Sequence, residues 1–212
     1  MPKESLTIDE TRDMMIAVAE RIIASESILT DADRDLGDGD HGVGMERGMK
    51  AVLEALRDES FPSVGKVFMA TGMAMMSNMG GASGAVFGTL FRSGGKAIKD
   101  AETLGAAELT TFYREGAEGV MSRGGAKPGD KTMVDALVPA AEAGENSGAG
   151  NLTEAAVAIA EGAESGMEQS KEMRATMGRA KTLGERSIGK PDAGAVSVSI
   201  IAGAMREFVE GL

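Results

Sequence analysis

The stretch LGDGDHG, residues 36–42, decides between two fold classes. Its glycines have the GxGxxG spacing of a dinucleotide-binding turn, a feature of α/β domains that follows directly on a β-strand. The residues before it, ESILTDADRD, instead have the pattern of a helix end and an acidic loop. Asp38 and Asp40 within the turn would also repel a pyrophosphate. The stretch therefore disfavours a dinucleotide-binding α/β domain.

Helical periodicity extends outward from this loop in both directions. On the N-terminal side, Thr7 and Glu10 have the spacing of a capping box, and an apolar face continues to Leu29. On the C-terminal side, further helices are predicted at 42–57, after Ser63, from 80–81, through 109–120, through 134–138, at 153–181 and from Asp192 to near Leu212. VSVSII, residues 196–201, alternates like a strand, but one isolated strand cannot form a sheet, so we assign it to the last helix. We predict an all-α fold, a single-domain antiparallel barrel or bundle of about eight helices spanning residues 1–212.

Composition limits the possible partners. The chain has 33 acidic and 22 basic side chains, a formal net charge of −11, which disfavours a nucleic-acid surface because such a surface needs a basic patch. Cysteine is absent, which excludes disulfides and thiolate metal sites. No apolar run approaches the ~20 residues of a membrane span, and the N-terminus lacks the apolar core of a signal peptide. These features predict a cytoplasmic protein without nucleic-acid or membrane partners.

Two familiar loop motifs do not fit the acidic segment. Residues 31–35 have the DxDxD opening of an EF-hand, but Leu36 stands where the turn glycine belongs and Gly42 replaces the bidentate glutamate. VGKV at residues 64–67 lacks the upstream glycine and the following Ser or Thr of a Walker loop. Neither a calcium-sensor loop nor a Walker phosphate loop is predicted.

The density of like charge leaves two interpretations of this loop open. Clusters of Asp and Gly often do no more than end one helix and start the next, as a solvated acidic loop. Carboxylates packed as closely as Asp33, Asp35, Asp38 and Asp40 are unfavourable unless a cation neutralises them, and Mg²⁺ prefers such oxygen ligands. A bound cation would then attract phosphate instead of repelling it, aided by the amide groups of helices that start at glycine.

Four blocks spread along nearly the whole chain carry a family resemblance. They are DRDLGDGDHG at 33–42, GGASG at 80–84, RGGAKPGDKTMVDAL at 123–137 and GRAKTLGERSIGKPDAGA at 178–195. With these blocks in this order, the chain resembles the nucleotide-binding L subunit of dihydroxyacetone kinase. That resemblance implies an eight-helix antiparallel barrel with a nucleotide, ATP or ADP, bound at one end through two Mg²⁺ ions.

The resemblance also implies roles for individual residues. The aspartates of its DxxxxDxD pattern, which would hold both Mg²⁺ ions, are Asp33, Asp38 and Asp40. The residues that would line the nucleotide are His41, Gly42, Val43, Gly44, Ala82, Ser83, Gly124, Met133, Arg179, Asp192, Ala193 and Gly194. Arg179 would in addition act in catalysis, by stabilising charge near the transferring phosphoryl group. Asp35, between the metal positions, is interpreted as a solvated charge at a helix end.

The activity that the resemblance implies is Mg²⁺-dependent phosphoryl transfer from bound ATP to a short ketose, dihydroxyacetone or a related triose or tetrulose. In the family a separate K subunit holds the sugar through a histidine. The single histidine of this chain belongs to the nucleotide motif, so the chain is predicted to be inactive without a K partner docked at the metal-bearing end. Two alternatives stay open: an ADP-retaining relay subunit rephosphorylated by a phosphotransferase-system protein, and a non-catalytic Mg-nucleotide module that binds a regulator. The GAKPGDK loop, residues 125–131, slightly favours the ATP-exchanging type.

Two positions depart from the family pattern. Many relatives have Asn where this chain has Gly44, and many have Pro where it has Ala193. The first departure predicts the loss of one polar contact to the nucleotide, whereas the second concerns backbone geometry alone. Neither position is a metal ligand in the family, so both bear on affinity more than on activity.

Overall fold

The chain folds almost entirely into helices. The computed structural model describes residues 1–212 and contains nine α-helices, two 3-10 segments and one antiparallel pair of short strands, β1 (Ser5–Leu6) and β2 (Leu104–Gly105). The helices are α1 (Ile8–Ala24), α2 (Glu26–Arg34), α3 (His41–Leu56), α4 (Val64–Asn78), α5 (Gly81–Ala97), α6 (Ala106–Gly124), α7 (Val134–Asn146), α8 (Leu152–Gln169) and α9 (Ala193–Glu210), and the 3-10 segments are Ser170–Glu172 and Arg179–Ser187. None of the helices combines the length and the hydropathy that a membrane crossing needs.

Eight of these helices, α1 and α3 to α9, close into a ring. From α3 onward each helix packs against the next one in the chain, and α9 packs back against α1, which in turn contacts α3. The short α2 lies beside this ring, against α3 and α9. Short connections between consecutive helices favour antiparallel neighbours. The all-α barrel expected from the sequence is therefore confirmed, with α2 as an additional short helix.

Several helix starts are fixed by side chains that the sequence identifies. The Thr7 hydroxyl accepts from the Glu10 amide at 3.2 Å and the Glu10 carboxylate accepts from the Thr7 amide at 2.8 Å, which completes the predicted capping box. The side chain of Ser63 caps α4, and that of Asp192 caps α9 by accepting from a first-turn amide at 2.9 Å. Residues 196–201 lie inside α9, so their helical assignment is confirmed.

The core is filled by aliphatic side chains and methionines, with glycine where two helices approach closely. Phe68 and Phe112 lie 4.3 Å apart between ring centroids. A Cβ atom at Gly72 in α4 would lie 2.6 Å from the carbonyl oxygen of Gly88 in α5, so the two backbones can approach this closely only with glycine. Small residues at helix contacts leave little room for aromatic rings, in accord with an aromatic content of 3%.

One expected helix boundary near the N-terminus is wrong. The apolar face that predicts a single helix from Thr7 through Leu29 is interrupted at Ser25, where α1 ends and α2 begins. The Ser25 hydroxyl donates to the Arg21 carbonyl at 2.8 Å and so competes with the backbone ladder. Apolar periodicity does not show the break, because Leu29, the buried residue of α2, continues the spacing of the buried residues of α1.

The helix expected at 153–181 is too long. In the structure it ends at Gln169, and the buried hydroxyl of Ser170 donates back to the last turn of α8 at 2.6 Å. The same hydroxyl accepts from the Asp192 amide at 3.0 Å. These bonds turn the chain away from the helix axis, and residues 170–192 form a separate loop that we call the strap. Helical periodicity does not show that residues 170–181 belong to this loop, because the bond from the Asp192 amide that closes the loop spans 22 residues.

Candidate functional site

A cavity of about 540 Å³ lies at one end of the ring, where α3, α5, α7 and α9 begin and α4 and α6 end. Its volume falls within the range of pockets that hold small organic ligands, about 300–1,000 Å³. Helix N-termini that meet at one cavity concentrate positive dipole ends there, which favours an anionic ligand. The lining is completed by the strap and by the acidic loop, residues 33–40, which runs from the last turn of α2 to the start of α3.

The acidic loop brings three carboxylates together. One carboxylate oxygen from each of Asp33, Asp38 and Asp40 lies within 4.8 Å of the other two. The backbone amide of His41 donates to Oδ2 of Asp33 at 3.2 Å and holds that side chain in place. A Cβ atom at Gly37 would lie 2.2 Å from Oδ1 of Asp33, so this glycine gives the carboxylate the room it occupies.

Basic side chains of the strap form ion pairs with carboxylates of the acidic loop. Arg179 forms ion pairs with Asp38 and, at 4.0 Å, with Oδ2 of Asp40. Lys190 pairs with Asp35 at 2.8 Å, so Asp35, interpreted from the sequence as a solvated charge, is half exposed but tied to the strap. Because exposed ion pairs contribute only about 0–1 kcal/mol, these partners are readily exchanged for another cation.

The donor set of the acidic loop fits a hard divalent cation. Mg²⁺ binds carboxylate oxygens together with water and substrate phosphates. Asp33, Asp38 and Asp40 offer oxygens in mutual reach, and two of the three side chains are exposed, which leaves space for such further ligands. The chain has no cysteine, so it offers no thiolate ligand. A site made of carboxylate oxygens favours Mg²⁺ over metals that prefer nitrogen or sulfur ligands.

The turn between α4 and α5 forms a second wall of the cavity. Gly80 and Gly81 have φ angles of 77° and 62°, a left-handed conformation that residues with side chains rarely adopt. Helix geometry leaves the amides of the first turn of α5, including those of Ala82 and Ser83, without intrahelical acceptors. These amides are therefore available to an anion in the cavity.

Arg47 of α3 supports this turn. Its Nε atom donates to the Asn78 carbonyl at 2.7 Å, and Nη2 donates to the Met79 carbonyl. Both carbonyls belong to the C-terminal end of α4, which carries a negative partial charge. This end lies beside the start of α5, where the free amides attract an anion. Arg47 borders the cavity but was not expected from the sequence, because its partners lie 31 and 32 residues away and no local motif marks it.

The ring of His41 is buried at the edge of the cavity. Its Nε2 atom lies 2.8 Å from Oγ of Ser197 in α9, and its ring centroid lies 5.9 Å from that of Phe87. Burial lowers the pKa of His41 below its ordinary value of 6.5, and the neighbouring Asp33 carboxylate opposes that shift. Burial therefore favours the neutral ring, which joins α3 to α9.

Two further charged groups border the cavity near the start of α9. Burial raises the pKa of Asp192 to about 7, although the hydrogen bond from the Ala195 amide and the charge of Lys131 favour the carboxylate. Burial also lowers the pKa of Lys131, against the influence of Asp192 and Asp135. Burial thus favours the neutral form of both groups, while their attraction for each other favours the charged forms.

The structure gathers nearly all residues singled out from the sequence around this cavity. Those that line it are Asp33, Asp38, Asp40, His41, Val43, Gly44, Ala82, Ser83, Gly124, Met133, Arg179, Asp192, Ala193 and Gly194. Gly42 does not line it: a Cβ atom there would lie 2.2 Å from the Thr30 hydroxyl, so this glycine lets α3 pack against α2. Lining residues that the sequence did not reveal include Arg47, Met79, Val86, Phe87, Val120 and Lys131. The apolar ones have the helical spacing of core residues, so nothing local distinguishes them.

Comparison with known proteins identifies the family. Residues 35–207 match the model of the DAK2 domain. The ADP-binding subunit DhaL of a PEP-dependent dihydroxyacetone kinase from Escherichia coli strain K12 is 45% identical over 183 residues, which cover 84% of this chain and 86% of that protein. A PEP-dependent DhaL subunit from Listeria innocua is 39% identical over 186 residues, 88% of this chain and 89% of the relative. The L-erythrulose kinase of Pectobacterium atrosepticum is 34% identical over 194 residues, 89% of this chain but 33% of that protein.

A solved structure shares the fold. The crystal structure of the dihydroxyacetone kinase from C. freundii in complex with AMP-PNP and Mg²⁺ matches with a TM-score of 0.70 and 22% identity, over 98% of this chain and 35% of that one. At this identity the likeness establishes the helical fold and nothing finer. The family model and the DhaL relatives confirm the resemblance inferred from the four sequence blocks. This chain therefore belongs to the DAK2 domain family, together with the ADP-binding DhaL subunits of dihydroxyacetone kinases.

Proposed function

We propose that this chain is the ADP-binding subunit of a dihydroxyacetone-type kinase and that residues 1–212 act as one nucleotide-binding domain. Holding ADP and two Mg²⁺ ions, the chain would receive phosphoryl groups from a phosphotransferase-system protein and pass them to a short ketose on a separate K subunit. The observation that carries this proposal is the trio Asp33, Asp38 and Asp40, whose oxygens lie within 4.8 Å of one another at a cavity where several helices begin. The names of the DhaL relatives support it.

The relatives favour retained ADP over ATP as a consumed donor. Exchange of ATP is the first expectation from the sequence, with slight support from residues 125–131. The relatives that match over most of their own length are instead named PEP-dependent or PTS-dependent ADP-binding subunits. Consumption of ATP is the second candidate, because proteins named erythrulose kinases also match, over about a third of their length.

The acidic loop would hold the metal ions through Asp33, Asp38 and Asp40. Bound Mg²⁺ would neutralise charge on phosphate oxygens and so favour phosphoryl transfer. The chain organises this donor set in advance, since the His41 amide orients Asp33 while Arg179 provides counter-charge to the other two aspartates.

Backbone amides and Arg179 would bind the phosphates. The amides at the start of α5, including those of Ala82 and Ser83, are free to donate to phosphate oxygens. The side chain of Arg179 is 67% exposed and extends from the strap over the acidic loop, so it can exchange an aspartate for a phosphoryl oxygen. There its fixed charge would stabilise the negative charge of the transferring group.

A K subunit is needed to hold the sugar. The ring of His41, the single histidine of the chain, is buried against Ser197 and Phe87, so it does not supply a sugar-binding histidine. The partner would dock at the end of the ring that carries the cavity, because the phosphoryl group has to pass between the subunits there. Phosphorylation of a ketose by the purified chain alone would contradict this part of the proposal.

Calorimetric titration of the metal-stripped chain with ADP, with and without Mg²⁺, tests the proposed function. We expect tight binding only with Mg²⁺, because the aspartates alone repel the phosphates. ADP binding that does not depend on Mg²⁺, or no ADP binding, would remove the main support for the proposed function.

A dilution experiment distinguishes the two phosphoryl donors. Retention of ADP after dilution supports the relay, whereas rapid release favours ATP as the donor. Binding without phosphoryl transfer in the presence of a K subunit and donor would indicate a non-catalytic module.

A further inference from the structure

The strap, residues 170–192, is closed at its base. The Gly189 amide donates to the Lys171 carbonyl at 2.7 Å, and the Asp192 amide donates to the Ser170 hydroxyl at 3.0 Å. The ends of this loop therefore lie side by side, while its middle extends to the acidic loop.

Lys131 bonds to both ends of the strap. Its Nζ atom donates to the carbonyl oxygens of Ser170 and Lys190, each at 2.5 Å, and the residue is only 1% exposed. Lys131 has a φ of 60°, a conformation that residues with side chains rarely adopt, so the fold keeps this lysine despite a backbone cost. One buried ammonium group thus bridges the first and last parts of the loop.

The position of the strap depends on this ammonium. A buried charge is unfavourable unless it has hydrogen-bond partners, and here two carbonyls accept from the ammonium while the nearby Asp192 and Asp135 favour its charged form. An apolar side chain in place of Lys131 would leave both strap carbonyls without this partner. The ion pairs between the strap and the acidic loop are exposed by comparison and only weakly stabilising.

We propose that Lys131 is a positioning residue for phosphoryl transfer: by fixing both ends of the strap, it places Arg179 at the aspartates of the acidic loop. Arg179 reaches Asp38 and Asp40 from the 3-10 segment in the middle of the strap. Lys131 acts on them only through that loop. The effect of Arg179 on the nucleotide rests on the function proposed above. The hydrogen bonds by which Lys131 ties the two ends of the strap together do not depend on it.

Limited trypsin digestion of the ligand-free chain tests the tie itself. The cleavage sites within the strap are Lys171, Arg174, Arg179, Lys181 and Arg186. In Lys131→Met we expect cleavage there to accelerate about tenfold, because the lost hydrogen bonds raise the population of the open strap. Lys127→Met, which alters an exposed lysine of the same loop, is the matched control and should match the wild type. Unchanged strap cleavage in Lys131→Met, or acceleration throughout the chain, would overturn the proposal.

Lys131→Asn carries the same test where the Met variant does not fold. Asn adopts the left-handed backbone more readily than most residues, and this substitution also removes the ammonium. We therefore expect faster cleavage confined to the strap, and a smaller change in the denaturation midpoint than in Lys131→Met. Strap cleavage at the wild-type rate in this variant would contradict the tie.

A double-mutant cycle with Arg179→Gln tests whether Lys131 acts through Arg179. The readout is the Kd for ADP in the presence of Mg²⁺, measured by calorimetry. We expect Lys131→Met to weaken binding about tenfold in the wild-type background and less than about twofold once Arg179 is replaced. Equal weakening in both backgrounds would overturn the inference. A wild-type chain that binds no Mg-ADP would refute the proposed function instead, and the digestion would still decide whether Lys131 ties the strap.

Discussion

The acidic loop and the turn between α4 and α5 both bring glycines to the cavity, but they differ in the groups they offer. In the acidic loop the side chains of Asp33, Asp38 and Asp40 are the candidate ligands, and glycine only gives them room. At Gly80 and Gly81 there are no side chains, and the backbone amides at the start of α5 are the candidate donors. One wall is therefore suited to a cation and the other to an anion.

This difference determines how each wall can be disrupted. A side-chain site is lost when a single carboxylate is removed, because no other group takes its place. A backbone site persists through most substitutions and weakens only when the conformation or charge around it changes. Substitutions in the acidic loop should therefore weaken the binding of the metal ion strongly, whereas substitutions at the second wall should weaken the binding of the anionic nucleotide less.

The largest effect is expected at the acidic loop. Asp38→Ala removes one of three clustered carboxylates, so Mg²⁺ affinity, and with it ADP affinity, should fall by at least about a hundredfold. The side chain is 40% exposed, so the helical content should hardly change. Calorimetric titration with ADP in the presence of Mg²⁺ measures the loss, and circular dichroism checks the fold.

Asp31→Ala is the control for this substitution. Asp31 lies on α2 outside the cavity and pairs with Arg34 at 2.6 Å, so its removal changes the net charge equally without touching the carboxylate trio. It should leave ADP binding unchanged. An Asp38→Ala chain with near wild-type, Mg²⁺-dependent affinity would show that the acidic loop is not the metal site.

A smaller effect is expected at the second wall, through Arg47. Arg47→Met removes the hydrogen bonds to the Asn78 and Met79 carbonyls and exposes the negative end of α4 beside the start of α5. ADP binding should weaken about tenfold, since hydrogen bonds from a charged group contribute about 1.5–3 kcal/mol when well formed and less when exposed. The binding of Mn²⁺ alone, measured by paramagnetic resonance, should not change.

Two companion variants sharpen the result for Arg47. Arg47→Lys keeps the positive charge but has fewer hydrogen-bond donors and no fixed geometry for them. Its affinity for ADP should therefore lie between those of the wild type and Arg47→Met. Arg57→Met changes an exposed arginine at the end of the same helix and should bind ADP normally. Loss of Mn²⁺ binding in Arg47→Met would mean that the two walls are not independent.

The contrast between the walls also explains how much of the site the sequence reveals. Residues 33–40 are conspicuous because unpaired carboxylates at such density are chemically unfavourable. Gly80 and Gly81 are conspicuous as adjacent glycines before an apolar helix. Arg47 is not, because its role depends on carbonyls that only the packing of α3 against α4 brings within reach.

For the fold, the sequence reveals local features and misses distant ones. Helix starts capped by Thr7, Ser63 and Asp192 are predicted correctly because the cap and the amide it binds are close in sequence. The first part of the strap, residues 170–181, is missed because Ala-rich periodicity continues past Gln169. The bond from Lys131 to the Ser170 carbonyl, just after the end of α8, spans 39 residues.

The smallest effect is expected at Gly44, which follows the acidic loop on α3 and approaches the second wall. A Cβ atom there would lie 3.8 Å from the carbonyl oxygen of Met79, an ordinary contact, so a side chain fits. Gly44→Asn should add the polar contact that the family resemblance implies at this position, contribute roughly 0.5–1 kcal/mol, and tighten ADP binding about threefold by calorimetry. Gly203→Asn in α9, where a Cβ atom meets nothing within 4 Å and no cavity wall is formed, controls for helix propensity. Tighter binding in Gly44→Asn alone would show that the nucleotide lies against both walls at once, whereas wild-type binding in both variants would place it away from α3.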